Sequence, residues 1–218
     1  MSATKSKFAA MSRRAAITAA ALASMAALAG CGGGGGAGSA AEGDMAMGAP
    51  EGAKVTVVEY ASVTCPHCAA WQEDVWPAFK TKYVDTNKVR YVFRELPTPP
   101  ANVAVAGFMV ARCAGEDKYF DVVHAIMESQ EEWRAGVNPR DTLFRVGNGA
   151  GLSNQQIEEC IKDPEGLKAA DERARAALAA GVSGTPAFFV NGTQVITPGG
   201  EGASLEDLSK AIDAELAK

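Results

Sequence analysis

The chain has 218 residues, of which 47% are hydrophobic and 7% aromatic, and its formal net charge is −5. This length fits one domain, or one domain with an inserted part, and the composition is that of an ordinary globular protein. The acidic balance argues against a nucleic-acid partner. With only two histidines in the sequence, His67 and His124, a metal site made of histidines alone is excluded.

Residues 1–30 predict an export signal that is not part of the fold. A basic segment with arginines at positions 13 and 14 precedes an apolar run at 15–27, which is too short to span a bilayer. The arginine pair resembles a twin-arginine signal, and the general secretory route stays open. The run ends in a Leu-Ala-Gly-Cys sequence that resembles a bacterial lipobox and predicts lipidation of Cys31. An ordinary cleaved signal followed by a chance cysteine is the alternative.

Cleavage at this point makes the remaining chain more acidic. It removes four of the 21 basic residues and none of the 26 acidic ones, so the net charge falls from −5 to −9. The predicted product is exported, periplasmic or at the cell surface, and held to a membrane by lipid at Cys31 and not by a basic patch. Residues 31–52 contain a five-glycine run and predict a flexible tether.

A folded domain is predicted over residues 53–218. A strand-like run at 54–60, a helix from Cys65 to about Lys82 and a strand-like run at 89–94 form a β-α-β unit with parallel strands. The apolar pattern at about 101–181 is helical throughout, which is too long for a connection and predicts a helical subdomain. A strand at 186–190, a turn at Asn191-Gly192, a strand at 194–196 and a helix from Ser204 to Leu216 follow.

The pair of thiols in Cys65-Pro66-His67-Cys68 begins the first helix of this domain. The free N–H groups and the dipole of a helix N-terminus stabilise a thiolate, so Cys65 is predicted to be the exposed, attacking sulfur. Cys68, one turn later, is predicted to be buried and to close or resolve the disulfide. Pro66 suits the first helical turn, and His67 places a donor or a positive charge beside the thiolate.

A C-x-x-C pair is also half of a zinc site, but zinc needs a second pair of ligands. Cys113 and Cys160 are isolated in the sequence, and neither is near a histidine. With Cys31 assigned to lipid, four cysteines remain, and a disulfide between Cys113 and Cys160 is expected inside the helical block. Two buried free thiols are the alternative there.

Glu59 lies on the strand before the motif and shares a strand face with Val55 and Val57. A carboxylate on that face would be desolvated beneath the active-site helix and able to accept the proton of Cys68. A carboxylate that reaches solvent at the strand end is the alternative.

These features together resemble the DsbA-like thiol:disulfide oxidoreductases of the thioredoxin superfamily. The resemblance covers about residues 54–216 and depends on Glu59, the Cys65-Pro66-His67-Cys68 motif, the helical insertion and Thr185-Pro186. It implies an α/β thioredoxin fold with the helical insertion between its βαβ and ββα halves. It also implies that Pro186 is a cis-proline against the cysteines, with Thr185 offering backbone hydrogen bonds to a substrate.

The implied activity is the introduction of disulfides into reduced exported proteins by exchange at Cys65 and Cys68. The implied partners are those substrates and a membrane quinone-linked reoxidase, and neither an organic cofactor nor a metal is expected. Thr185 departs from the best-known oxidase and is shared with disulfide isomerases, so isomerase or reductase activity stays open. The mature N-terminus lacks a dimerisation domain, which favours a monomer. A metal-binding lipoprotein using the cysteines and linker methionines is the alternative from another class.

Overall fold

The structure is a computed structural model that describes Gly38 and residues 41–200 and 202–218. The predicted signal peptide, Cys31 and the glycine run at 32–36 lie outside the described residues, so the predictions made for them stay predictions. Within the described ranges, no helix combines the length and the apolar character that crossing a membrane requires.

The chain alternates strands and helices at its two ends and is helical in the middle. The elements are β1 (Met45–Gly48), β2 (Thr56–Ala61), α1 (Pro66–Asp74), α2 (Trp76–Phe79), a π-helical turn (Lys80–Val84), β3 (Arg90–Glu95), α3 (Ala101–Cys113), α4 (Glu116–Glu128), α5 (Gln130–Arg134), α6 (Pro139–Gly149), α7 (Asn154–Lys162), α8 (Pro164–Ala179), β4 (Ala187–Val190), β5 (Thr193–Val195) and α9 (Leu205–Leu216).

The strands form a five-stranded sheet in the order β1-β3-β2-β4-β5. β2 and β3 run parallel, which confirms the predicted β-α-β unit, and the other neighbours are antiparallel. The hairpin between β4 and β5 turns at Asn191 and Gly192, whose φ angles of 45° and 83° suit a tight two-residue turn. The α/β fold with a helical insertion between two sheet-forming halves is therefore confirmed.

Strand β1 corrects the prediction that the flexible tether extends to residue 52. Met45–Gly48 pairs antiparallel with β3, and Met45 is only 7% exposed. Asp44 adds an ion pair to Arg94, with 2.6 Å between Oδ2 and Nη2. The pairing satisfies the backbone groups of β3, which would otherwise be the open edge of the sheet. A four-residue strand fixed mainly by backbone hydrogen bonds carries too short an apolar pattern to be recognised in the sequence.

The active-site helix is also shorter than predicted. The prediction of one helix from Cys65 to Lys82 is wrong in its second half, because α1 ends at Asp74 and α2 begins at Trp76. Pro77 has no N–H to donate to the carbonyl of Glu73, so a regular helix cannot continue through it. The first two turns, which present the cysteines, are unaffected.

The inserted helices share one hydrophobic core with the sheet, so the predicted helical subdomain is an insertion within the same domain. Val57 of β2, Phe108 of α3 and Ile126 of α4 belong to the same buried cluster, together with Cys65 and Cys68. The opposite sheet face, with Val58 and Tyr60, packs against a smaller cluster that includes Ala177 of α8. Because the insertion covers the face that carries the cysteines, it forms a wall of the site.

Cys113 and Cys160 form a disulfide in the structure. Their sulfurs are 1.97 Å apart and their Cα atoms 6.3 Å apart, and the bond joins the end of α3 to α7. Beside it, Arg112 and Arg173 both pair with the buried Glu95 of β3, which ties α3 and α8 to the sheet. The disulfide and the ion pairs therefore both hold the inserted helices in place.

Candidate active site

Cys65 is the N-cap of α1, directly after the carboxyl end of β2. Its backbone is extended, with φ −82° and ψ 120°, Pro66 occupies the first turn, and the Cys65 carbonyl accepts the N–H of Ala69 at 3.2 Å. The site thus has the two thiols at a helix N-terminus, as the sequence predicted. Cys65 and Cys68 are both free thiols in the structure.

The Cys65 sulfur is the more acidic of the two. The pKa of its thiol falls from 9.0 to about 6. The largest cause is the hydrogen bond that Cys68 donates to the thiolate, while burial opposes it by raising the pKa. The Thr185 side chain and the backbone N–H groups of Cys68 and His67 lower the pKa further. The Thr185 hydroxyl has no hydrogen-bond partner of its own among the described residues, so its donor is available to the thiolate. The thiolate is the reactive form.

Cys68 behaves in the opposite way. It is fully buried, and burial raises the pKa of its thiol well above 9.0. The hydrogen bond to Cys65 and the nearby charges of Cys65 and Glu59 act in the same direction. Near neutral pH the reduced pair therefore holds one thiolate, on Cys65, and one proton, on Cys68.

The structure corrects the expectation that Cys65 is exposed. Its side chain is only 5% exposed, because the loop that ends at Thr185 and Pro186 lies against it. The Thr185–Pro186 peptide bond is cis, and the Thr185 carbonyl oxygen accepts a hydrogen bond from the Cys65 thiol at 3.4 Å. His67, in contrast, is exposed. An open cavity of about 330 Å³ is lined by His67, Thr185, Pro186 and Gln194, among others.

Glu59 lies in the core beneath the motif. Its side chain is 2% exposed and receives a hydrogen bond from the hydroxyl of Tyr91. Burial raises the pKa of its carboxyl to about 8, against the lowering effect of the Tyr91 hydrogen bond, and the Cys65 charge raises it further. The alternative that Glu59 reaches solvent at the strand end is wrong. A carboxyl with such a pKa both holds and releases a proton near neutral pH.

Two residues of the site were not found in the sequence. Tyr91 holds Glu59, and Gln130 of α5 donates from Nε2 to the carbonyl oxygens of Val63, at 2.9 Å, and Cys65, at 3.1 Å. Both side chains are buried. Tyr91 carries a weak signal, since its strand parity matches that of a buried face, but the strand register needed to connect it with Glu59 is not encoded locally. Gln130 carries no recognisable signal.

Among the residues that the structure describes, no second group of metal ligands accompanies the cysteine motif. Across residues 41–200 and 202–218, no group of three or more His, Cys, Asp or Glu side chains is arranged to hold a metal ion. The disulfide further removes Cys113 and Cys160 as ligands for a site that includes the Cys65 pair.

Comparisons with known proteins agree with this geometry. A family model described as thioredoxin matches residues 40–214. A Rickettsia typhi protein, whose name describes it as a protein-disulfide oxidoreductase, is 35% identical over 175 residues, which are 79% of this chain and 62% of that protein. The chain thus spans slightly less than two thirds of that relative.

Solved structures show the same fold. The crystal structure of alpha-DsbA1 from Wolbachia pipientis superimposes with a TM-score of 0.71 at 26% identity, over 82% of this chain and 93% of that one. The oxidised BdbD structure from Bacillus subtilis has a TM-score of 0.70 over 80% of this chain and 94% of that one. Its 16% identity makes it a likeness of fold alone.

Proposed function

This chain belongs to the thioredoxin superfamily, in its DsbA-like branch, and on that premise we propose that it introduces disulfides into reduced exported proteins through Cys65 and Cys68. The observation that carries the proposal is the difference between the two thiols, with a Cys65 pKa of about 6 and a Cys68 pKa well above 9.0. Stabilising the Cys65 thiolate favours the reduced form, and this makes the disulfide form a stronger oxidant.

The exchange begins from the oxidised protein, in which Cys65 and Cys68 share a disulfide. A substrate thiolate attacks the sulfur of Cys65, a new bond joins the two sulfurs, and the bond to Cys68 breaks. Cys68 leaves with the electron pair as a thiolate and takes a proton from Glu59. Cys65 is the sulfur attacked because it lies against Thr185 at the open cavity, whereas Cys68 is fully buried. Its low pKa then makes Cys65 the good leaving group of the second step.

The second step releases the product. Another thiolate of the substrate attacks the substrate sulfur of the mixed disulfide, and Cys65 leaves with the electron pair as a thiolate. The substrate has lost two electrons and gained a disulfide, while the protein holds a thiolate at Cys65 and a thiol at Cys68. Glu59 recovers its proton from solvent. The cycle uses no organic cofactor or metal, and oxidation of the reduced protein is assigned to a membrane quinone-linked reoxidase.

Substrates are proposed to bind against the cis-proline loop. Thr185 and Pro186 border both the Cys65 sulfur and the open cavity, so an extended peptide there has backbone groups available beside the reacting sulfur. His67 lies at the exposed rim of the same cavity. In this proposal the protein acts as a monomer outside the cytoplasm, attached to a membrane by lipid at Cys31.

Isomerase activity is the second candidate, and Thr185 is the residue that favours it. The reduction potential of the Cys65–Cys68 pair and an isomerisation assay separate the two. An oxidase is expected to have a potential above about −200 mV and to convert reduced ribonuclease into disulfide-containing forms. A potential near that of thioredoxin, about −270 mV, contradicts the oxidase proposal. Faster rearrangement of a scrambled substrate than oxidation of a reduced one favours the isomerase.

A further inference from the structure

Tyr91 and Glu59 meet across the two parallel strands at the centre of the sheet. In the register of β2 and β3, Tyr91 aligns with Val57, and Glu59 aligns with Phe93. Tyr91 is therefore two residues away from the position opposite Glu59, on the same face, and a long side chain spans that diagonal. Its hydroxyl donates a hydrogen bond to Oε2 of Glu59.

The Tyr91 side chain is held in place by neighbouring rings, and its hydroxyl keeps its proton and therefore acts as the donor. The side chain is fully buried, and its ring packs against Trp76, with 4.7 Å between centroids, and against Phe79 and Phe120, each at 5.9 Å. Burial, followed by the charge of Glu59, raises the pKa of the Tyr91 hydroxyl well above 10.0. Tyr91 thus keeps its proton throughout the exchange and does not itself carry a proton to Cys68.

We propose that Tyr91 is a positioning residue for thiol–disulfide exchange, which orients the buried Glu59 carboxyl and stabilises its ionised form after it has given its proton to Cys68. This inference rests on the proposed function of Glu59. The bond made is the S–H bond of Cys68, the bond broken is the O–H bond of Glu59, and the Tyr91 O–H bond stays intact. A hydrogen bond to a carboxylate is stronger than one to the neutral acid, so Tyr91 favours the transfer.

The titratable groups around Glu59 come from three elements. Cys65 and Cys68 face it from the start of α1, and Tyr91 faces it from β3. Tyr119 of α4 contributes electrostatically to the raised pKa of Tyr91. His124 of α4 packs on the ring of Trp76, and burial lowers the pKa of its imidazole to about 4, so it is neutral across the range in which Glu59 titrates.

The test is a titration of Glu59 in the oxidised protein, where Cys65 and Cys68 carry no proton. Carbon-13 NMR of the side-chain carboxyl, compared with Glu59→Gln for assignment, gives the midpoint. Tyr91→Phe keeps the ring and removes only the hydroxyl, and it is expected to raise the midpoint by about one pH unit or more. An unchanged or lowered midpoint overturns the proposal.

The chain supplies a matched control. Tyr119 is also fully buried and donates to a buried carboxylate, Glu95, at 3.0 Å. Tyr119→Phe therefore imposes the same loss of a buried tyrosine–glutamate hydrogen bond away from the cysteines. The Glu59 midpoint is expected to stay at its wild-type value in this variant. An equal shift in both variants means that the effect is a general loosening of the core, and this also overturns the proposal.

A kinetic cycle separates positioning from structure. Reduction of the oxidised protein by dithiothreitol is measured against pH in wild type, Tyr91→Phe, Glu59→Gln and the double variant. Tyr91→Phe is expected to move the pH dependence with the Glu59 midpoint, and to have no further effect when Glu59 is already glutamine. Equal slowing in both backgrounds contradicts the proposal. Because dithiothreitol replaces the protein substrate, failure here is distinct from failure of the oxidase proposal, which the reduction potential and the ribonuclease assay test.

Discussion

The thiol of Cys65 donates a hydrogen bond to the carbonyl oxygen of Thr185, 3.4 Å away in space and 120 residues away along the chain. The contact follows from the sheet, because β4 pairs antiparallel with β2 and aligns Ala187 with Tyr60. The residues just before β4 therefore lie beside the residues just after β2. The two halves of the chain thus build one site, and neither half contains it alone.

Replacing Thr185 with valine is expected to raise the pKa of Cys65 by about one unit, because the variant loses the hydroxyl that is available to stabilise the thiolate. The thiolate is followed by its ultraviolet absorbance as pH is changed. The reduction potential should fall in parallel, since a less stable thiolate makes a weaker oxidant. Thr185→Ser keeps the hydroxyl and is the control. A valine variant that titrates like wild type rules out a contribution of the hydroxyl.

Replacing Cys68 with serine is expected to trap mixed disulfides between Cys65 and substrate proteins. The variant keeps the acidic sulfur but has no second thiol to resolve the adduct. Non-reducing electrophoresis of the protein incubated with scrambled, disulfide-containing ribonuclease shows the adducts, because the Cys65 thiolate attacks a substrate disulfide and releases one substrate thiolate. The matched variant Cys65→Ser should give none, since the pKa of the remaining Cys68 thiol is too high for appreciable ionisation. Trapping that requires Cys68 would reverse the assignment of the nucleophile.

Glu59→Gln is expected to stabilise the oxidised protein near pH 7 by a free energy of unfolding on the order of 2 kcal/mol. The folded pKa of Glu59 is about 8 beside a Cys65 thiolate, and burial, the largest cause, raises it above 4.5 in the oxidised protein as well. The stability of the wild type is therefore full below about pH 4.5 and declines as pH rises through the folded pKa. Glutamine removes this cost because it is never charged.

Urea unfolding of the oxidised forms at several pH values measures this difference. The gap between variant and wild type should close near pH 4.5, where both side chains are neutral. The same variant should exchange disulfides more slowly, because Cys68 loses its proton donor. A gap that is constant with pH contradicts a raised Glu59 pKa.

Gln130→Leu is expected to lower the free energy of unfolding by about 2 kcal/mol, since it leaves the buried carbonyls of Val63 and Cys65 without this donor. Gln155→Leu is the control, because Gln155 is exposed and donates to Glu159 in its own helix. That variant should stay within about 0.5 kcal/mol of wild type. Equal stability of the two variants would mean that α5 is not tied to the active-site turn.

Removing the Cys113–Cys160 disulfide by a double alanine substitution is expected to lower the free energy of unfolding by about 4 kcal/mol, from the entropy of a loop that joins residues 47 apart. The reduction potential of the Cys65 pair should not change. Non-reducing peptide mapping of the wild type should show the 113–160 link. Free thiols at both positions, or an unchanged stability, would contradict a structural role for this bond.

The order of the elements, the parallel β-α-β unit and the cysteine motif could be read from local sequence. Strand alternation was sufficient to place Glu59 on the buried face with Val57, because side-chain direction in a strand has a period of two. The start of α9 was also local, since the helix was predicted from Ser204, which is its N-cap and whose hydroxyl accepts the N–H of Asp207 at 3.1 Å. Such features depend on neighbours within a few residues.

Other features depended on contacts between distant parts of the chain. The residues of β1 have the local sequence of a flexible tether. They form a strand only through hydrogen bonds to β3, which their own sequence does not reveal. The local sequence predicts an exposed Cys65, because the loop that covers it comes from residue 185 and is distant along the chain. Tyr91 was missed because its relation to Glu59 needs the register of two strands that are not adjacent in sequence. Gln130 was missed because nothing in the sequence around it indicates that its side chain donates to the distant carbonyls of Val63 and Cys65.

The amino-acid sequence by itself therefore determined which sulfur atoms lie at the helix N-terminus and which face carries the buried acid, since helix N-termini and strand alternation are local properties. Only the tertiary structure decided the environment that sets the acidity of Cys65, Cys68 and Glu59. Desolvation and hydrogen bonding depend on which groups pack together, and here those groups come from β2, β3, α1 and the loop before β4. Their distances are set by the folded sheet, and no local stretch of the chain encodes them.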